Sequence, residues 1–300
     1  MDFNFTDEDL KFRDDLRTFV AQELPPTWEG LGRWPENWDW DKTLDFRRKL
    51  ADKGWLTMHW PEEYGGLGVS PVRTAIYNEE LAYLRAPGRD IFGVRMFAPT
   101  LMVHGSEEQK EQFLPPVAKG EVQWCQGYSE PESGSDLASL STRAVLDGDE
   151  YVINGSKIWT TLAHRADWIM CLTRTDLDAP KHRGISFVLS ELETEEGDRS
   201  EGVTIEKIPM MWNAYRGLVT FDNVRVPKKN LVGELNRGWY VGAALLDFER
   251  SGVDRPARAK RVLEDLVQFS KENSKNGVRL SDDPVAVSYT HLTLPTNREV

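Results

Sequence analysis

The chain has 300 residues, which is long enough for about two domains of ordinary size. Its 37 Lys and Arg against 49 Asp and Glu give a formal net charge of −12, so we expect neither a nucleic-acid binder nor a protein that docks on anionic lipid. With 40% hydrophobic and 29% charged residues, the composition is that of an ordinary globular protein. No apolar run approaches the roughly 18 residues that a membrane span needs.

The amino terminus and the cysteines indicate the compartment. Residues 1–8 are acidic and lack the basic start and apolar stretch of an export signal, so we expect a cytoplasmic protein. Cys125 and Cys171 form no metal-type spacing, and we interpret both as small buried hydrophobic residues. The five histidines are scattered, without paired spacing, so no metal site is expected.

Helical patterns separated by Pro and Gly fill residues 1–118, which we predict to be an N-terminal helical domain. Thr6 and Asp9 form a capping box at the start of an apolar stripe that ends at Pro25. Further helices are predicted over residues 41–53, over residues 72–84, and from the Ser106 and Gln109 cap to a stop at Pro115 and Pro116.

The pattern changes near Gly120 from helical periodicity to alternation. Apolar or β-branched segments of strand length predict strands over residues 142–146, 151–153, 168–173, 184–189, 203–208 and 218–221. Asp147-Gly148 and Asn154-Gly155 are typical of tight hairpin turns. We therefore predict a middle antiparallel β domain over residues 119–232.

Helical patterns return after the β domain. Helices are predicted over residues 239–249 and 257–269, and in the second of them Val262, Leu266 and Phe269 share one face. We predict that residues 233–286 begin a C-terminal helical domain that is truncated. Residues 287–300 have no helical period, and we interpret them as a non-native tail, with a genuine unstructured C-terminus as the alternative.

Three segments carry side chains that suit chemistry, and each also has an ordinary structural explanation. The loop at residues 129–136 is dense in hydroxyls and turn residues, so it suits a polar ring edge or a phosphate, or is a surface turn. Residues 159–161 combine a large flat ring with two hydroxyls, a combination that suits a binding site. The ordinary alternative is a strand whose Trp packs in the core. Glu249 follows an almost wholly apolar helix stretch, where a desolvated carboxylate suits a general base, or it lies at a solvated helix end.

Known nucleotide and hydrolase fingerprints are absent, since the chain has no GxGxxG, no GxxxxGK[ST] and no GxSxG string. Its strings instead resemble those of the acyl-CoA dehydrogenase family of flavoenzymes. SEPESGSD at 129–136 is similar to the family's [TS]EPxxGSD, and Trp159-Thr160-Thr161 to its WxT. Supporting strings follow the family's order at residues 61–66 (PEEYGG), 105–110 (GSEEQK), 221–227 (FDNVRVP) and 230–233 (NLVG).

The resemblance implies an α+β multidomain fold with an N-terminal helical domain, a middle antiparallel β domain and an incomplete C-terminal helical bundle. It implies FAD in the cleft between the β domain and the C-terminal helices. The residues that it assigns to FAD are Tyr128, Ser129, Ser135, Trp159, Thr160 and Thr161. Three positions depart from the commonest pattern, with Ser129 for Thr, Glu132 for Gly and Thr160 for Ile.

The activity that the resemblance implies is α,β-dehydrogenation of an acyl-CoA thioester to the trans-2-enoyl-CoA, with electrons passed to an electron-transfer flavoprotein. In most family members the catalytic base lies in the C-terminal bundle. A minority place it on the helix where Glu249 stands, and the resemblance accordingly assigns the base to Glu249. It assigns Arg250 to the acyl-CoA channel and Asp247 to the coenzyme A portion of the substrate.

Several family features are expected beyond the end of this chain, including a flavin-adenine contact and a QxxGG segment. We therefore expect these 300 residues alone to bind FAD poorly and to turn over little. The resemblance implies a homo- or hetero-oligomer. It leaves open an oxidase or flavin-dependent hydroxylase of the same fold, and a non-catalytic subunit of a heteromeric dehydrogenase. Small residues at 242–244 either widen the channel for a branched or steroid-like acyl group or permit close helix packing.

Overall fold

The computed structural model describes residues 5–25, 28, 40–194, 196–211, 215–250, 252–275 and 278–279. The predicted tail at 287–300 lies outside these residues. Among the residues described, no helix has both the length and the apolar character that crossing a membrane requires. The order of elements is helical, then β, then helical, as expected for this α+β fold, while the domain boundaries at 118, 232 and 286 stay predictions.

The N-terminal part consists of helices held by side-chain caps. They are α1 (Asp7–Glu23), α2 (Trp40–Asp52), α3 (Pro71–Tyr83), a π-helical segment (Ile91–Phe97), α4 (Ala98–His104) and α5 (Glu107–Ala118). The capping box at Thr6 is confirmed, because its Oγ1 accepts the Asp9 N–H at 3.2 Å. The capping box of Ser106 and Gln109 is confirmed as well, because the Ser106 Oγ accepts the Gln109 N–H at 3.2 Å.

The predicted stop at Pro115 and Pro116 is wrong. Both prolines lie inside α5, which continues to Ala118, and the Lys119 N–H donates to the Pro115 carbonyl at 3.1 Å. A proline costs a helix one N–H bond and a clash with the preceding turn. In α5 the neighbouring Phe113, Leu114 and Val117 are buried in the core, and this packing offsets the loss.

The middle part is one mixed sheet. Its strands are β1 (Trp124–Gly127), β2 (Arg143–Asp147), β3 (Glu150–Thr161), β4 (Trp168–Arg174), β5 (Ile185–Glu191), β6 (Val203–Pro209), β7 (Tyr215–Pro227) and β8 (Leu231–Val232). The order is β6-β7-β3-β2-β4-β5-β8, with β1 beside β4. Most pairs are antiparallel, as predicted, but β1, which the sequence pattern did not indicate, runs parallel to β4. Short 3₁₀ turns lie at Glu62–Tyr64, Leu137–Ser139, Ala163–Arg165, Lys181–Arg183 and Lys228–Asn230.

One of the two predicted hairpin turns is confirmed and the other is wrong. The chain reverses between β2 and β3 at Gly148, where φ is +64°. Asn154-Gly155 instead lies within β3, where the pairing with β7 shifts register. Gly155 has φ of +142°, and an added Cβ would stand 2.7 Å from the Thr142 Cα. The glycine therefore serves a bulge and a close backbone approach, not a turn.

The C-terminal part contributes α6 (Gly238–Arg250), α7 (Asp254–Glu272) and the short strands β9 (Ser274–Lys275) and β10 (Val278–Arg279). Both predicted helices are confirmed with slightly longer bounds. The apolar face predicted on α7 is exposed, with 57% of Val262, 55% of Leu266 and 54% of Phe269 accessible. No residue that the structure describes covers this face.

The core has two layers that meet across the sheet. In β4, Met170 and Leu172 pack with the helices, whereas Ile169 and Cys171 pack within the β part. Both faces of this strand are buried, which accounts for its continuous apolar run. Cys125 and Cys171 are fully buried free thiols, so the interpretation of both as small hydrophobic residues is confirmed.

Candidate active site

The hydroxyl-rich loop lies directly beside the end of β3. The Ile158 N–H donates to the Ser129 carbonyl at 2.9 Å, and the Lys157 ammonium donates to the Tyr128 carbonyl at 3.3 Å. These two bonds hold the backbone of Ser129 next to that of Trp159. The structure therefore brings together two of the segments that the sequence singled out separately.

A buried ion pair supports this junction from beneath. The Lys157 Nζ lies 2.8 Å from the Glu130 Oε1, with the side chains 0% and 3% exposed. Glu130 also accepts the N–H groups of Ser141 at 2.6 Å and Thr142 at 2.9 Å. Burial opposes ionisation of Glu130, but the Lys157 charge and these hydrogen bonds outweigh it and lower its pKa to about 2. The motif's glutamate thus anchors the loop.

Sequence reasoning missed the anchoring role of Glu130 and Lys157. Glu130 was noted only as a letter of the loop motif. The signal for Lys157 is its position in the strand pattern. It lies four residues after the buried Ile153, so the alternation of β3 places its cationic side chain on the buried face. A buried charge in such a strand requires a partner of opposite charge.

Trp159 presents a flat aromatic surface at this junction. It has φ of +61° and its side chain is 53% exposed, both unusual for a residue at the end of a strand. The pairing of β3 with β7 shifts register between Lys157 and Thr160, which frees the backbone to turn the indole outward. Thr161 is half-buried next to it.

The remaining predicted cofactor residues differ in exposure. Ser129 is half-buried and Ser135 is exposed. Thr160 is 2% exposed, and its Oγ1 has no hydrogen-bond partner among the residues described. Tyr128 is 7% exposed. A ligand above Trp159 would meet Thr160 and Tyr128 through their backbone in preference to their side chains.

These groups suit the flavin that the resemblance implies. An isoalloxazine ring needs a flat apolar contact and hydrogen-bonding groups along its polar edge. The exposed indole of Trp159 offers the first, and the hydroxyls of Ser129 and Thr161 offer the second. Gly134 has no atom within 4 Å of an added Cβ, so the loop leaves open space beside its exposed hydroxyls.

Helix α6 packs against the same loop through Tyr128. The Tyr128 Oη donates to the Gly242 carbonyl at 3.3 Å. A Cβ added to Gly242 would lie 3.1 Å from the Tyr128 Oη. This contact supports the close-packing explanation at Gly242, whereas Ala243 is exposed and Ala244 is half-buried. Glu249 follows seven residues later, roughly 10 Å along the helix axis. Burial raises the pKa of Tyr128, so its hydroxyl remains a hydrogen-bond donor.

The end of α6 is fixed by the N-terminal helices. The Arg95 Nε donates to the Phe248 carbonyl at 3.2 Å, and its NH1 lies 3.3 Å from Asp254 at the start of α7. Glu249 is half-buried at this corner, whereas Asp247 and Arg250 are exposed. Arg95 therefore sets the position of the residue next to Glu249. Nothing in the sequence pattern singled out Arg95.

A cavity of about 560 Å³ lies between α3, the π-helical segment and the end of α6. Phe248 and Val253 line it on the side of Glu249. Its titratable lining residues are His59, Tyr77, Arg89, Asp90 and Arg95. The volume is within the range of small-molecule sites.

Comparisons with known proteins agree over most of the chain. Residues 6–121 match the family description "Acyl-CoA dehydrogenase, N-terminal domain", and residues 125–224 match "Acyl-CoA dehydrogenase, middle domain". The chain is 35% identical to acyl-CoA dehydrogenase IpdE1 of Mycobacterium tuberculosis, covering 92% of this chain and 71% of that one.

Solved structures show the same likeness. The ChsE4-ChsE5 complex from Mycobacterium tuberculosis superposes with a TM-score of 0.82 at 32% identity, covering 97% of this chain and 74% of that chain. The structure of the Tcur3481-Tcur3483 steroid ACAD superposes with a TM-score of 0.81 at 34% identity, covering 97% of this chain and 74% of that chain.

Proposed function

Because this chain belongs to the acyl-CoA dehydrogenase family, a family of FAD enzymes, we propose that it catalyses the α,β-dehydrogenation of an acyl-CoA thioester to the trans-2-enoyl-CoA. The observation that carries the proposal is the junction of three features. The segment that presents the exposed ring of Trp159 is joined to the hydroxyl loop by the bond from Ile158 to Ser129, and the loop's neighbour Tyr128 bonds the helix that carries Glu249.

The proposal assigns the cofactor contacts to the β part of the molecule. Bound FAD would accept the hydride that leaves the substrate β-carbon. Trp159 would stack on the ring, and the hydroxyls of Ser129 and Thr161 would bond its polar edge. Ser135, exposed on the same loop, would bond the pyrophosphate, and Tyr128 and Thr160 would contribute backbone groups.

Glu249 is proposed as the base that removes the substrate α-proton. Its carboxylate takes the proton as the β-hydride leaves, so that two electrons and two hydrogens depart and the carbon–carbon double bond forms. Its half-buried position at the end of α6 supports this role, as does the Arg95 contact that fixes the helix end. Arg250 and Asp247 are both exposed, and we propose that Arg250 lines the acyl-CoA channel while Asp247 contacts the coenzyme A portion.

A cofactor titration tests the assignment of the flavin site. Joined in frame to the part of acyl-CoA dehydrogenase IpdE1 that follows their shared region, the chain is expected to purify yellow with one FAD per chain. Trp159→Ala should weaken FAD binding at least tenfold, because it removes the stacking surface. A joined protein that stays colourless after incubation with FAD would contradict the proposal.

The role of Glu249 is tested in the same joined protein. Glu249→Gln should lower the dehydrogenation rate about 10²-fold or more, because the amide cannot take the α-proton. Glu206→Gln, an equivalent change at an exposed position on β6, should leave the rate unchanged. Unchanged turnover in Glu249→Gln would reassign the base to the C-terminal helices.

We propose an electron-transfer flavoprotein as the electron acceptor and an oligomeric assembly for the enzyme. The similar ChsE4-ChsE5 structure is a complex, which supports assembly with a second copy or a related chain. The exposed apolar face of α7 supports it too. Reduction of an added electron-transfer flavoprotein without oxygen uptake is the expected result. Oxygen consumption at the same rate would favour an oxidase, and turnover only with an added related chain that carries its own base would favour a non-catalytic subunit.

A further inference from the structure

We propose that the cavity beside the end of α6 takes an acyl group that carries a carboxylate at its far end, and that Arg89 and Tyr77 bind this carboxylate. The inference rests on the proposed function and narrows its substrate class. It is drawn from side chains on the cavity wall that have hydrogen-bonding capacity and no hydrogen-bond partner among the residues described.

Arg89 is half-buried on the cavity wall and makes no side-chain hydrogen bond with a residue that the structure describes. Its side chain is 10% exposed, and the nearest carboxylate oxygen, on Asp254, is 3.8 Å from its NH1. That distance is beyond hydrogen-bond range, and no other hydrogen bond joins Arg89 to a residue that the structure describes. A guanidinium has five N–H donors, and burying them unpaired costs free energy. The geometry therefore favours an acceptor supplied from the cavity.

Tyr77 provides a second donor on the same wall. Its ring is 4% exposed, and its Oη has no hydrogen-bond partner among the residues described. Burial raises the pKa of Tyr77 and keeps the phenol protonated, outweighing the nearby Arg89 charge, which acts to lower that pKa. A guanidinium and a hydroxyl that both donate into one space suit a ligand with two acceptor oxygens.

The charges around the cavity favour an anion over a neutral oxygen. Arg89 and Arg95 share the single carboxylate of Asp254, at 3.8 and 3.3 Å. The other carboxylate of the wall, Asp90, faces Arg47 at 3.9 Å and accepts the Gly93 N–H at 2.9 Å. One guanidinium charge in the cavity is therefore left without a counter-charge, although the chain as a whole carries −12.

His59 adds no further charge at neutral pH. Burial lowers its pKa to about 4, and the Arg95 charge lowers it further. Its Nδ1 has no hydrogen-bond partner among the described residues, and the residue lines the cavity. The imidazole is therefore neutral beside the two arginines, and it leaves the excess positive charge in place.

The cavity is placed to receive the acyl group of the proposed substrate. Phe248 and Val253, which flank Glu249 along the chain, form part of its wall. A thioester whose α-carbon lies at Glu249 would extend its acyl chain into this space, toward Arg89. A terminal carboxylate would then supply the acceptor that Arg89 and Tyr77 lack.

The test compares thioesters that differ only in the terminal group. Calorimetry measures the affinity of the joined protein for succinyl-, glutaryl- and adipoyl-CoA. The same measurement with butyryl-, valeryl- and hexanoyl-CoA, which have the same chain lengths, gives the comparison. At least one carboxylate-bearing member should bind tenfold or more tightly than its partner. Arg89→Gln should abolish that preference, and Tyr77→Phe should reduce it severalfold.

The controls separate this inference from the proposed function. Arg183→Gln removes an equal charge from an exposed turn of the β part and should preserve the preference. Melting temperatures show whether Arg89→Gln folds, and Arg89→Lys, which keeps the charge, should retain part of the preference. Equal affinity for the paired thioesters would overturn the carboxylate site and leave the dehydrogenase proposal standing. Failure to bind any of the thioesters would overturn both.

Discussion

At the scale of single residues, the pair of Glu130 and Lys157 explains why the loop motif contains a glutamate. Both side chains are buried, and the pair connects the loop to β3 while the hydrogen bonds from Ser141 and Thr142 fix the carboxylate. Such a pair contributes little net stability compared with apolar packing, but breaking it leaves an unpaired buried charge. Its value here is that it holds the Ser129 backbone beside Trp159.

The pair predicts a non-additive mutational response. Glu130→Gln should lower the free energy of unfolding by about 3–5 kcal/mol, because Lys157 is left buried without a counter-charge. The double variant Glu130→Gln with Lys157→Met should recover much of this loss. Urea denaturation of Glu130→Gln, Lys157→Met and the double variant measures the free energies of unfolding that this comparison needs. If the double variant is as unstable as the sum of the single changes, the two charges do not act as a pair.

At the scale of elements, the close contact between the start of α6 and the backbone of β5 determines where Glu249 lies. Gly238 begins α6, and an added Cβ there would stand 2.2 Å from the Phe187 nitrogen and from the Ser186 carbonyl carbon. The first turn of the helix thus touches the strand backbone directly, which only glycine permits. The far end of the same helix is held by Arg95.

A methyl group at position 238 should displace the helix. Gly238→Ala is expected to cost about 1–3 kcal/mol of unfolding free energy, because neither the β5 backbone nor α6 can give way without losing contacts. Gly134→Ala, where an added Cβ meets no atom within 4 Å, should change the unfolding free energy by less than about 0.5 kcal/mol. Equal effects from the two substitutions would contradict the conclusion that Gly238 is required for the contact between α6 and β5.

Sequence patterns predicted the elements better than their connections. The capping boxes, the helices of the first third and the strand segments follow from local periodicity, and the structure confirms them. The roles of Gly155 and of Pro115 depend on what packs against them, Thr142 in one case and the apolar core in the other. Local sequence holds no information about those partners, and the cavity lining at Arg89 and Tyr77 escaped prediction for the same reason.

At the scale of the whole molecule, two half-buried histidines couple stability to pH. Burial lowers the pKa of His59 to about 4, with help from Arg95, and burial together with neighbouring cations lowers that of His164 to about 4. Both are neutral in the folded protein, whereas in the unfolded chain they take up protons near pH 6.5. Unfolding is therefore favoured progressively as the pH falls from about 6.5 toward 4.

The expected loss between pH 7 and pH 5 is about 1–2 kcal/mol of unfolding free energy for each histidine. Urea denaturation at the two pH values measures the total. His59→Asn should remove roughly half of this pH dependence, and His182→Asn, an exposed position with the same change, should leave it intact. A pH dependence that is the same in all three proteins would exclude His59 as its source.

Arg95 makes two contacts that connect the substrate selectivity of the proposed enzyme with its rate. One guanidinium lines the wall where the acyl group is proposed to lie and also grips the backbone immediately before Glu249. Replacing it to admit a different substrate would shift the helix end that carries the proposed base. Selectivity and rate should therefore change in concert along any mutational path through this position, and an altered preference at full speed would require compensation elsewhere.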